Sequence, residues 1–453
     1  MRISPARDPN AALNRALGGL LALCLLPCAA YEFANTGEFT ADAALNARLG
    51  LRQGYDINFG YGALPEFAAL GQTTGETERT DLEVALRPSV TASYKLPKDE
   101  LYGGLLVVGA TTTLDGELSG QFARAGDRIL NTDSAYVGWR HGVFDLSYGA
   151  QPFHLGDGFV VGDGNFNQGH DNGQYWIGAF EAWRNTAVLK INTAPLRADV
   201  FWLRTDQDLG DARVAGINLE NSDVEPWGRV STSYFEIFDD EGGVGNAGMQ
   251  VWSLRGGDLH LPSLPQAKLY VEFVQEFGRS ERSGIENAAD AWYVEPTYQF
   301  AAWPWAPRFY YRYARYSGDE ATSADNEEYR GLFFTLGKRD WDTWYQGEIN
   351  GEFFLFNENQ ITQMLKVKAY PNAKCAVVAM VYHHALEEPQ YFGLPTTSTA
   401  WSDEVNLEFE FYPNERLYGM AVIAWGTPNA AAKQLFGNDD QVVLGLFLSY
   451  TLN

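Results

Sequence analysis

Residues 404–411 read EVNLEFEF, and this stretch decides the fold. Apolar side chains at positions 405, 407, 409 and 411 alternate with polar side chains at 404, 406, 408 and 410. Successive side chains of a β-strand point to opposite faces, whereas a helix, with a period of about 3.6 residues, would mix the two sets. The stretch therefore predicts a strand that has one apolar face and one face in water.

The same alternation recurs along the chain in runs of about ten residues, the length at which a strand crosses a bilayer. It is clear at 39–52, 81–95, 308–316, 365–369 and 444–452. Counting the runs gives about 18 to 20 strands, depending on whether 180–193 is one long strand and whether 214–220 is a strand or a loop. The predicted fold is all-β, a transmembrane antiparallel up-and-down β-barrel of about 18 strands. A soluble sandwich or propeller is the alternative, but neither needs apolar faces on so many long hairpins.

The connections between the runs also favour a barrel. Short turns within 96–100, 371–374 and 413–416 alternate with longer polar loops, as they do at the two rims of an outer-membrane barrel. Aromatic residues gather where runs end, at the positions of an interfacial girdle. These are Trp303 with Trp305, Trp341 with Trp344, and Tyr391 with Phe392.

The first thirty residues differ from the rest of the chain. Arg2, Arg7 and Arg15 precede an apolar run at 20–26, and small residues follow at 28–30. This is the pattern of a secretory signal peptide, and the apolar run is too short to span a bilayer. We expect residues 1–30 to be removed and residues 31–453 to form a single barrel domain. The predicted location is the outer membrane of a Gram-negative bacterium.

Composition narrows the partners. The chain has 33 basic and 58 acidic side chains and a net charge of −25. Residues 1–30 carry three arginines and one aspartate, so the remaining chain has 30 basic and 57 acidic side chains, a net charge of −27. Such acidity argues against nucleic acid as a partner. It is compatible with outer-membrane lipid and with lipopolysaccharide, which is rich in divalent cations.

Two stretches carry a resemblance to a known family. Residues 146–164 read LSYGAQPFHLGDGFVVGDG, with glycine, glutamine and Leu-Gly-Asp-Gly ahead of a loop. Residues 403–407 read DEVNL and are followed by YPN at 412–414 and by a final hairpin. Both stretches resemble signatures of the alginate export family of outer-membrane barrels. The chain length and the expected strand number also agree with that family's barrel.

The resemblance implies a channel through which a secreted polysaccharide leaves the periplasm, with periplasmic export machinery as a partner. In such channels arginines and lysines in the lumen guide a polyanion, because rings of cations lower the barrier for an anion. Strand parity turns a matching set of cations towards the lumen. These are Arg48, Arg52, Arg87, Arg140, Lys190, Arg197, Arg308, Arg312, Lys366 and Lys368.

The same parity also turns carboxylates inward, so the lumen is predicted to be mixed in charge. These are Asp42, Glu83, Asp145, Asp199, Glu348, Glu352, Glu404, Glu408 and Glu410. A mixed lumen argues against alginate itself and leaves open a neutral or zwitterionic polymer, a sugar or another small solute. For any single residue, the alternative is that inward Arg and Glu pair across neighbouring strands and stiffen the wall.

Polysaccharide export is therefore the leading functional prediction. A general or substrate-selective porin for small solutes is the second, and a barrel receptor or adhesin, suggested by acidic loops such as 319–328, is the third. No catalysis is expected. His383 and His384 are consecutive and point to opposite faces, so one could join a serine on the outer wall, but no serine stands out and no zinc-binding spacing occurs.

The loop at 163–173 has two interpretations. Asp163, Asn165 and Asn167 place oxygen atoms at alternate positions, as a Ca²⁺-binding loop does. However, its glycine falls one place late for an EF-hand, and Gln174 stands at the twelfth position, where glutamate is expected. One interpretation is a Ca²⁺ site, and the other is a loop that constricts the lumen and uses glycines for left-handed turns. No other cofactor is expected.

Overall fold

The chain folds into one closed β-barrel in the computed structural model, which describes residues 31–64, 70–114, 128–162, 164, 177–206, 210–222, 226–241, 245–334 and 346–452. The strands are β1 (Tyr31–Asn35), β2 (Phe39–Tyr55), β3 (Glu78–Lys95), β4 (Asp99–Leu114), β5 (Arg128–His141), β6 (Phe144–Gln151), β7 (Trp183–Asn192), β8 (Leu196–Arg204), β9 (Ala212–Asn221), β10 (Arg229–Asp240), β11 (Met249–Leu259), β12 (Ala267–Arg279), β13 (Glu286–Gln299), β14 (Arg308–Tyr316), β15 (Gln360–Asn372), β16 (Cys375–Leu386), β17 (Gln390–Tyr391), β18 (Leu394–Pro395), β19 (Ala400–Asn414), β20 (Leu417–Pro428) and β21 (Gln441–Leu452). Short helices include α1 (Asn350–Phe353) and α2 (Ala430–Leu435).

Eighteen of these strands close the barrel, and each pairs antiparallel with the next along the chain. They are β2 to β16 and β19 to β21, and β21 returns to β2 with Leu45 opposite Leu452 and Tyr55 opposite Val442. β1 pairs with residues 40–43 of β2, beyond the end of β21. Closure leaves none of these eighteen strands at an open edge of the barrel, which is the condition for a sheet to cross a bilayer. The predicted all-β, up-and-down barrel of about 18 strands is confirmed.

The alternation that predicts the barrel also identifies its two faces. In β19, Val405 and Leu407 are 44% and 51% exposed, whereas Glu404 and Asn406 are completely buried. An exposed apolar face repeated around a barrel belongs on the lipid side, because lipid removes its apolar area from water at about 25 cal/mol per Å². The buried polar face is therefore the inner one. β3, β15 and β16 are sorted in the same way.

The two rims differ in the length of their connections. One rim carries the short connections 96–98, 142–143, 193–195, 222–228, 260–266, 300–307, 373–374 and 415–416. The other carries 56–77, 115–127, 152–182, 205–211, 241–248, 280–285, 317–359, 387–399 and 429–440. Because short turns face the periplasm in outer-membrane barrels, we assign the first rim to the periplasm and the second to the outside.

Two segments that the sequence left open now have defined structures. β7 begins at Trp183, so 180–193 is not one long strand, and 214–220 lies inside β9. Among the predicted girdle residues, Trp303 and Trp305 are exposed in a periplasmic turn, as expected.

The girdle prediction is wrong for Tyr391. Its ring stacks on Trp401 at 4.8 Å, and its hydroxyl donates a hydrogen bond to the carbonyl of Phe354 at 3.0 Å. The reason is that loop 387–399 brings this side chain to the barrel mouth, where other aromatic rings shield it from water. Phe392, next to it, is exposed. Trp341 and Trp344 lie outside the described residues.

Part of connection 152–182, here called the first inner loop, lies inside the barrel. Phe153, Leu155 and Phe159 are buried in an apolar cluster with inward side chains of β7 to β14. Gly156 and Gly158 have φ angles of +55° and +81°, a left-handed conformation that glycine adopts without strain. Residues 163 and 165–176 of this loop lie outside the described residues.

Connection 317–359, the second inner loop, meets the first one inside the barrel. The amide of Gly162 donates to the carbonyl of Phe333 at 2.8 Å, and the amide of Phe333 donates to the carbonyl of Val160 at 3.2 Å. Phe333 and Phe334 join the apolar cluster of the first inner loop. Each fully buried aromatic side chain contributes about 1.5–3 kcal/mol, so the two loops stabilise one another against the wall.

A second apolar cluster lies at the outer end of the barrel. Phe59 stacks on Phe354 at 4.7 Å, and Phe354 also contacts Trp401 and Phe436 edge to face. These four rings come from four different segments of the chain, so these segments pack on one another. No helix in the described part of the chain is long and apolar enough to cross a membrane.

Candidate functional site

A row of arginines runs along the inner faces of β2 and β3. Arg48 and Arg52 project from β2, and Arg79 and Arg87 project from β3. Three of them were predicted from strand parity, and Arg79 was missed. Its signal was present, because Arg79 continues the odd-numbered polar positions of the run at 81–95 by one further step.

The end of the first inner loop, residues 177–182, crosses this row and is called the strap. Arg48 donates hydrogen bonds to the carbonyl of Ile177 at 3.1 Å and to that of Gly178. One carboxylate oxygen of Glu181 lies 3.1 Å from Nη2 of Arg48 and 3.5 Å from Nη2 of Arg87. A loop carboxylate therefore sits on two arginines of the wall.

Carboxylates of the wall fix the strap through its backbone. Glu83 of β3 accepts a hydrogen bond from the amide of Ile177 at 3.0 Å. Asp133 of β5 accepts the amides of Glu181 at 2.9 Å and Ala182 at 3.0 Å. Hydrogen bonds to an ionised acceptor are roughly twice as strong as neutral ones, so these contacts hold the strap in register on the arginine row.

The second inner loop is anchored in the same way. Glu404 of β19 accepts the amides of Ile349 at 3.0 Å and Asn350 at 2.9 Å, together with the side-chain amide of Asn350 at 2.7 Å. Glu276 of β12 accepts the amide of Arg330 at 2.9 Å. Glu83 and Glu404 were predicted to face the lumen. Both do, but each binds loop backbone there.

A second group of cations lies on the inner faces of β14 and β15. Arg308 stands opposite Lys368 across the strand pair, and Tyr310 stands opposite Lys366. Each cation contacts a wall side chain. The contacts are Arg312 with Glu295 at 2.7 Å, Lys368 with Glu410 at 2.9 Å, Arg308 with Gln299, and Lys366 with the ring of Tyr310 at 5.1 Å from its centroid.

Two further predicted carboxylates, Glu408 and Glu348, lie in different settings. Glu408 is buried on the inner face of β19, two residues before Glu410. Glu348 is also buried, but the prediction that it projects from a strand is wrong. It lies in the second inner loop just before α1, because residues 346–359 fold as loop and helix before β15 begins. The side chain of Glu352 lies outside the described residues.

Three predicted cations lie towards the periplasmic mouth. Arg140 bridges Glu100 and Asp145, both at 2.9 Å, and thereby links β4, β5 and β6. Arg197 lies 2.9 Å from Asp199 and 3.4 Å from Glu220 of the neighbouring strand. Apart from the Arg197–Asp199 contact, which lies within β8, these are the cross-strand pairs that the sequence left open as an alternative. Lys190, on β7, makes no ion pair with any residue that the structure describes.

Gly138 gives this mouth a testable feature. Tyr102 lies flat across Gly138, donates to Asp145 and holds Arg140 at 4.1 Å from its ring centroid. A β-carbon at position 138 would overlap the Tyr102 ring, so Gly138→Ala is expected to destabilise the barrel by about 1–3 kcal/mol. Urea unfolding in lipid vesicles measures this difference.

Gly109→Ala is the matched control. The nearest atom to a β-carbon there is Cδ1 of Leu130 at 3.7 Å, an ordinary contact, and the unfolding free energy should change by less than about 1 kcal/mol. Equal losses of stability at positions 138 and 109 would contradict the role given to Tyr102.

Sequence reasoning missed Arg255, which lies beside a cavity of about 640 Å³ between the first inner loop and β10 to β13. Arg255 donates hydrogen bonds to Ser231 at 3.0 Å and Ser233 at 3.2 Å, and it lies 3.6 Å from Glu272. Apolar and polar residues alternate at 252–255 in β11, and this pattern could have placed Arg255 on the inner face. Arg229, at the edge of the same cavity, has no hydrogen-bond or ion-pair partner among the described residues.

The Ca²⁺ interpretation stays a prediction. Asp163, Asn165 and Asn167 lie outside the described residues. Within the described ranges, no group of three or more His, Cys, Asp or Glu side chains is placed to hold a metal ion.

The two consecutive histidines point to opposite faces, as strand parity predicts. His384 is buried inside, 3.0 Å from the hydroxyl of Thr362. His383 is outside, with Nδ1 at 2.7 Å from Asp403, and Asp403 also accepts a hydrogen bond from Asn429 at 3.0 Å. The residue opposite Asp403 on β20 is Thr427, so the position beside this pair carries threonine and not serine.

Comparison with solved structures shows the fold of an outer-membrane porin. A BenF-like porin from Pseudomonas fluorescens Pf-5 matches with a TM-score of 0.59 and 11% identity, over 91% of this chain and 98% of its own. OpdK from Pseudomonas aeruginosa, solved with vanillate, matches with a TM-score of 0.57 and 10% identity, over 91% and 98%. OccK5 (OpdH) from Pseudomonas aeruginosa matches with a TM-score of 0.54 and 11% identity, over 91% and 98%.

No family model and no curated protein sequence matches the chain. At such low identities the structural matches establish the fold alone, a porin-like outer-membrane β-barrel. The resemblance to the alginate export family receives no support from these comparisons.

Proposed function

We propose that this protein is a selective porin that passes small solutes across the outer membrane of a Gram-negative bacterium. The observation that carries the proposal is the pair of inner loops, which pack on one another inside the barrel through Val160, Gly162 and Phe333. Folded loops take up lumen that a wide polymer would need. The geometry therefore favours the second functional prediction, a small-solute porin, over polysaccharide export.

We infer that the preferred solutes carry a carboxylate. Two groups of cations face the interior, one on β2 and β3 and the other on β14 and β15, and such groups lower the barrier for an anion. Several inward carboxylates that would oppose an anion accept amide hydrogens from the loops, which offsets part of their charge. Arg48 and Arg87 already hold a carboxylate, that of Glu181. The solved structure of OpdK with vanillate, an aromatic carboxylate, agrees with this inference.

Liposome swelling tests the proposal. Liposomes that contain the purified protein are expected to swell quickly in benzoate, more slowly in glucose and not at all in alginate oligomers. Protein-free liposomes are the control. If alginate oligomers entered as fast as benzoate, the result would favour polysaccharide export over a small-solute porin. No swelling in any solute would contradict a channel function.

A further inference from the structure

The side chain of Glu181 is more exposed than the two arginines that its carboxylate contacts. Its side chain is 33% exposed, whereas those of Arg48 and Arg87 are 18% and 8% exposed. A solute that approaches the arginines through the lumen therefore meets the loop carboxylate first. Like charges repel at this range, so Glu181 opposes the arrival of an anion at the site.

The two arginines are held by the wall and not by Glu181 alone. Nε of Arg48 donates to Oδ1 of Asn46 at 3.0 Å, on the same strand. Nη2 of Arg87 lies 3.8 Å from Asp133 of β5. The guanidinium groups are thus held by the strands and, for Arg48, also by the strap carbonyls of Ile177 and Gly178, whereas the carboxylate between them is a loop side chain.

We propose that Glu181 is a resident counter-ion, which a permeating carboxylate displaces from Arg48 and Arg87. This inference rests on the proposed function, a porin for small carboxylates. In the exchange the solute's carboxylate takes the place of the Glu181 carboxylate between the two arginines, while the Glu181 side chain turns into the lumen. One carboxylate replaces another, so neither buried guanidinium loses its counter-charge during passage.

The backbone of the strap does not need to move for this exchange. Asp133 holds the amides of Glu181 and Ala182, and Glu83 holds the amide of Ile177, whereas only the Glu181 side chain makes the contact that must break. The exchange therefore needs only a change of side-chain rotamer at Glu181. Glu181 thereby sets how strongly the site retains an anion.

Glu181→Gln is the first test, in planar bilayers with benzoate as the probe. The amide keeps the size and one acceptor oxygen of the side chain but removes the competing charge. The concentration of benzoate that half-blocks the chloride current is expected to fall by about tenfold, the change that a difference of about 1.4 kcal/mol produces. Reversal potentials in a KCl gradient are expected to shift towards anion selectivity.

Asp42→Asn is the matched control. Asp42 is exposed on the inner face of β2 near the periplasmic rim and has no hydrogen-bond or ion-pair partner within the described ranges. Its substitution removes the same charge from the same strand that carries Arg48. The benzoate concentration that half-blocks the current is expected to change by less than about twofold, because salt screens a charge that lies far from the arginine pair.

A second test changes the charge at position 181 chemically after the protein has folded, so it remains valid if the glutamine variant folds poorly. Glu181→Cys is made together with Cys375→Ser, which removes the one free cysteine among the described residues. A negatively charged methanethiosulfonate reagent should return benzoate block towards the wild-type concentration. A positively charged reagent should lower the benzoate concentration at half-block further.

The outcomes separate this inference from the proposed function. If wild-type protein passes no ions and no benzoate, the porin proposal fails. If the wild type conducts but Glu181→Gln leaves both block and selectivity unchanged, and the two reagents act alike, the porin stands and the role of Glu181 is overturned.

Discussion

Replacing Glu404 by leucine is expected to release part of the second inner loop and to raise the single-channel conductance. The buried carboxylate accepts two backbone amides and one side-chain amide from Ile349 and Asn350. Leucine accepts none of them, and each buried donor left unpaired costs about 1–3 kcal/mol. Three unpaired donors together cost about 3–9 kcal/mol, which weakens the docking of this part of the loop. Larger and more variable current steps should follow.

Glu404→Gln removes the charge and one of the two acceptor oxygens. Its single amide oxygen can replace either Oε1, which accepts the Ile349 amide, or Oε2, which accepts Asn350, so its conductance should lie between those of the wild type and the leucine variant. Heat-modifiable migration in detergent gels checks that both variants form closed barrels. Identical conductances for wild type, glutamine and leucine variants would show that Glu404 does not hold the loop.

The second inner loop is also expected to respond to pH through Glu358. Oε1 of Glu358 accepts the amide of Gly331 at 3.2 Å, and Oε2 lies 3.9 Å from Nη1 of Arg330. Burial raises the pKa of Glu358 to about 7, although Arg330 and the Gly331 amide lower it. Glu328 lies nearby and raises it further. The docked loop therefore binds a proton that the released loop, with an ordinary carboxyl pKa, would lose.

The sign of the pH effect follows from this difference. Because the pKa is raised in the docked state, the contribution of Glu358 to docking is complete below a pH of about 4.5 and is lost as the pH rises through about 7. The loss amounts to about 3 kcal/mol. Channel openings should become larger or more frequent between pH 5 and pH 8.

Glu358→Gln should abolish this dependence, because a glutamine side chain stays neutral throughout the range. Its openings at pH 8 should resemble those of the wild type at pH 5. If the channel openings of the wild type and the glutamine variant depend on pH in the same way, another group causes the pH effect.

Strand parity is a local property of the sequence, and it predicted the fold correctly. Leu407 and Glu404 differ by an odd number of positions, so their opposite faces follow from the sequence alone. What faces Glu404 does not follow, because Ile349 and Asn350 lie more than fifty positions away and reach it only when the second inner loop folds into the barrel. The sequence therefore predicted a lumen of mixed charge, but it could not show that loop amides bind some of the inward carboxylates.

The family resemblance has a physical explanation in the first inner loop. The stretch 146–164 covers the end of β6 and the start of the first inner loop, and its glycines at 156 and 158 adopt left-handed conformations. Glycines at such turns let a chain bend back into a lumen whatever the channel carries. The motif thus reports the geometry of an inner loop, and it gives no information on the solute.

Polymer exclusion in planar bilayers tests whether two folded loops narrow an eighteen-stranded barrel to a path for small solutes. Single-channel conductance of the wild type is measured with polyethylene glycols of increasing size on both sides of the membrane. Only the smallest polymers should enter and lower the conductance, and larger ones should leave it unchanged. Entry of polymers as wide as a polysaccharide chain, or the absence of any current, would contradict the account.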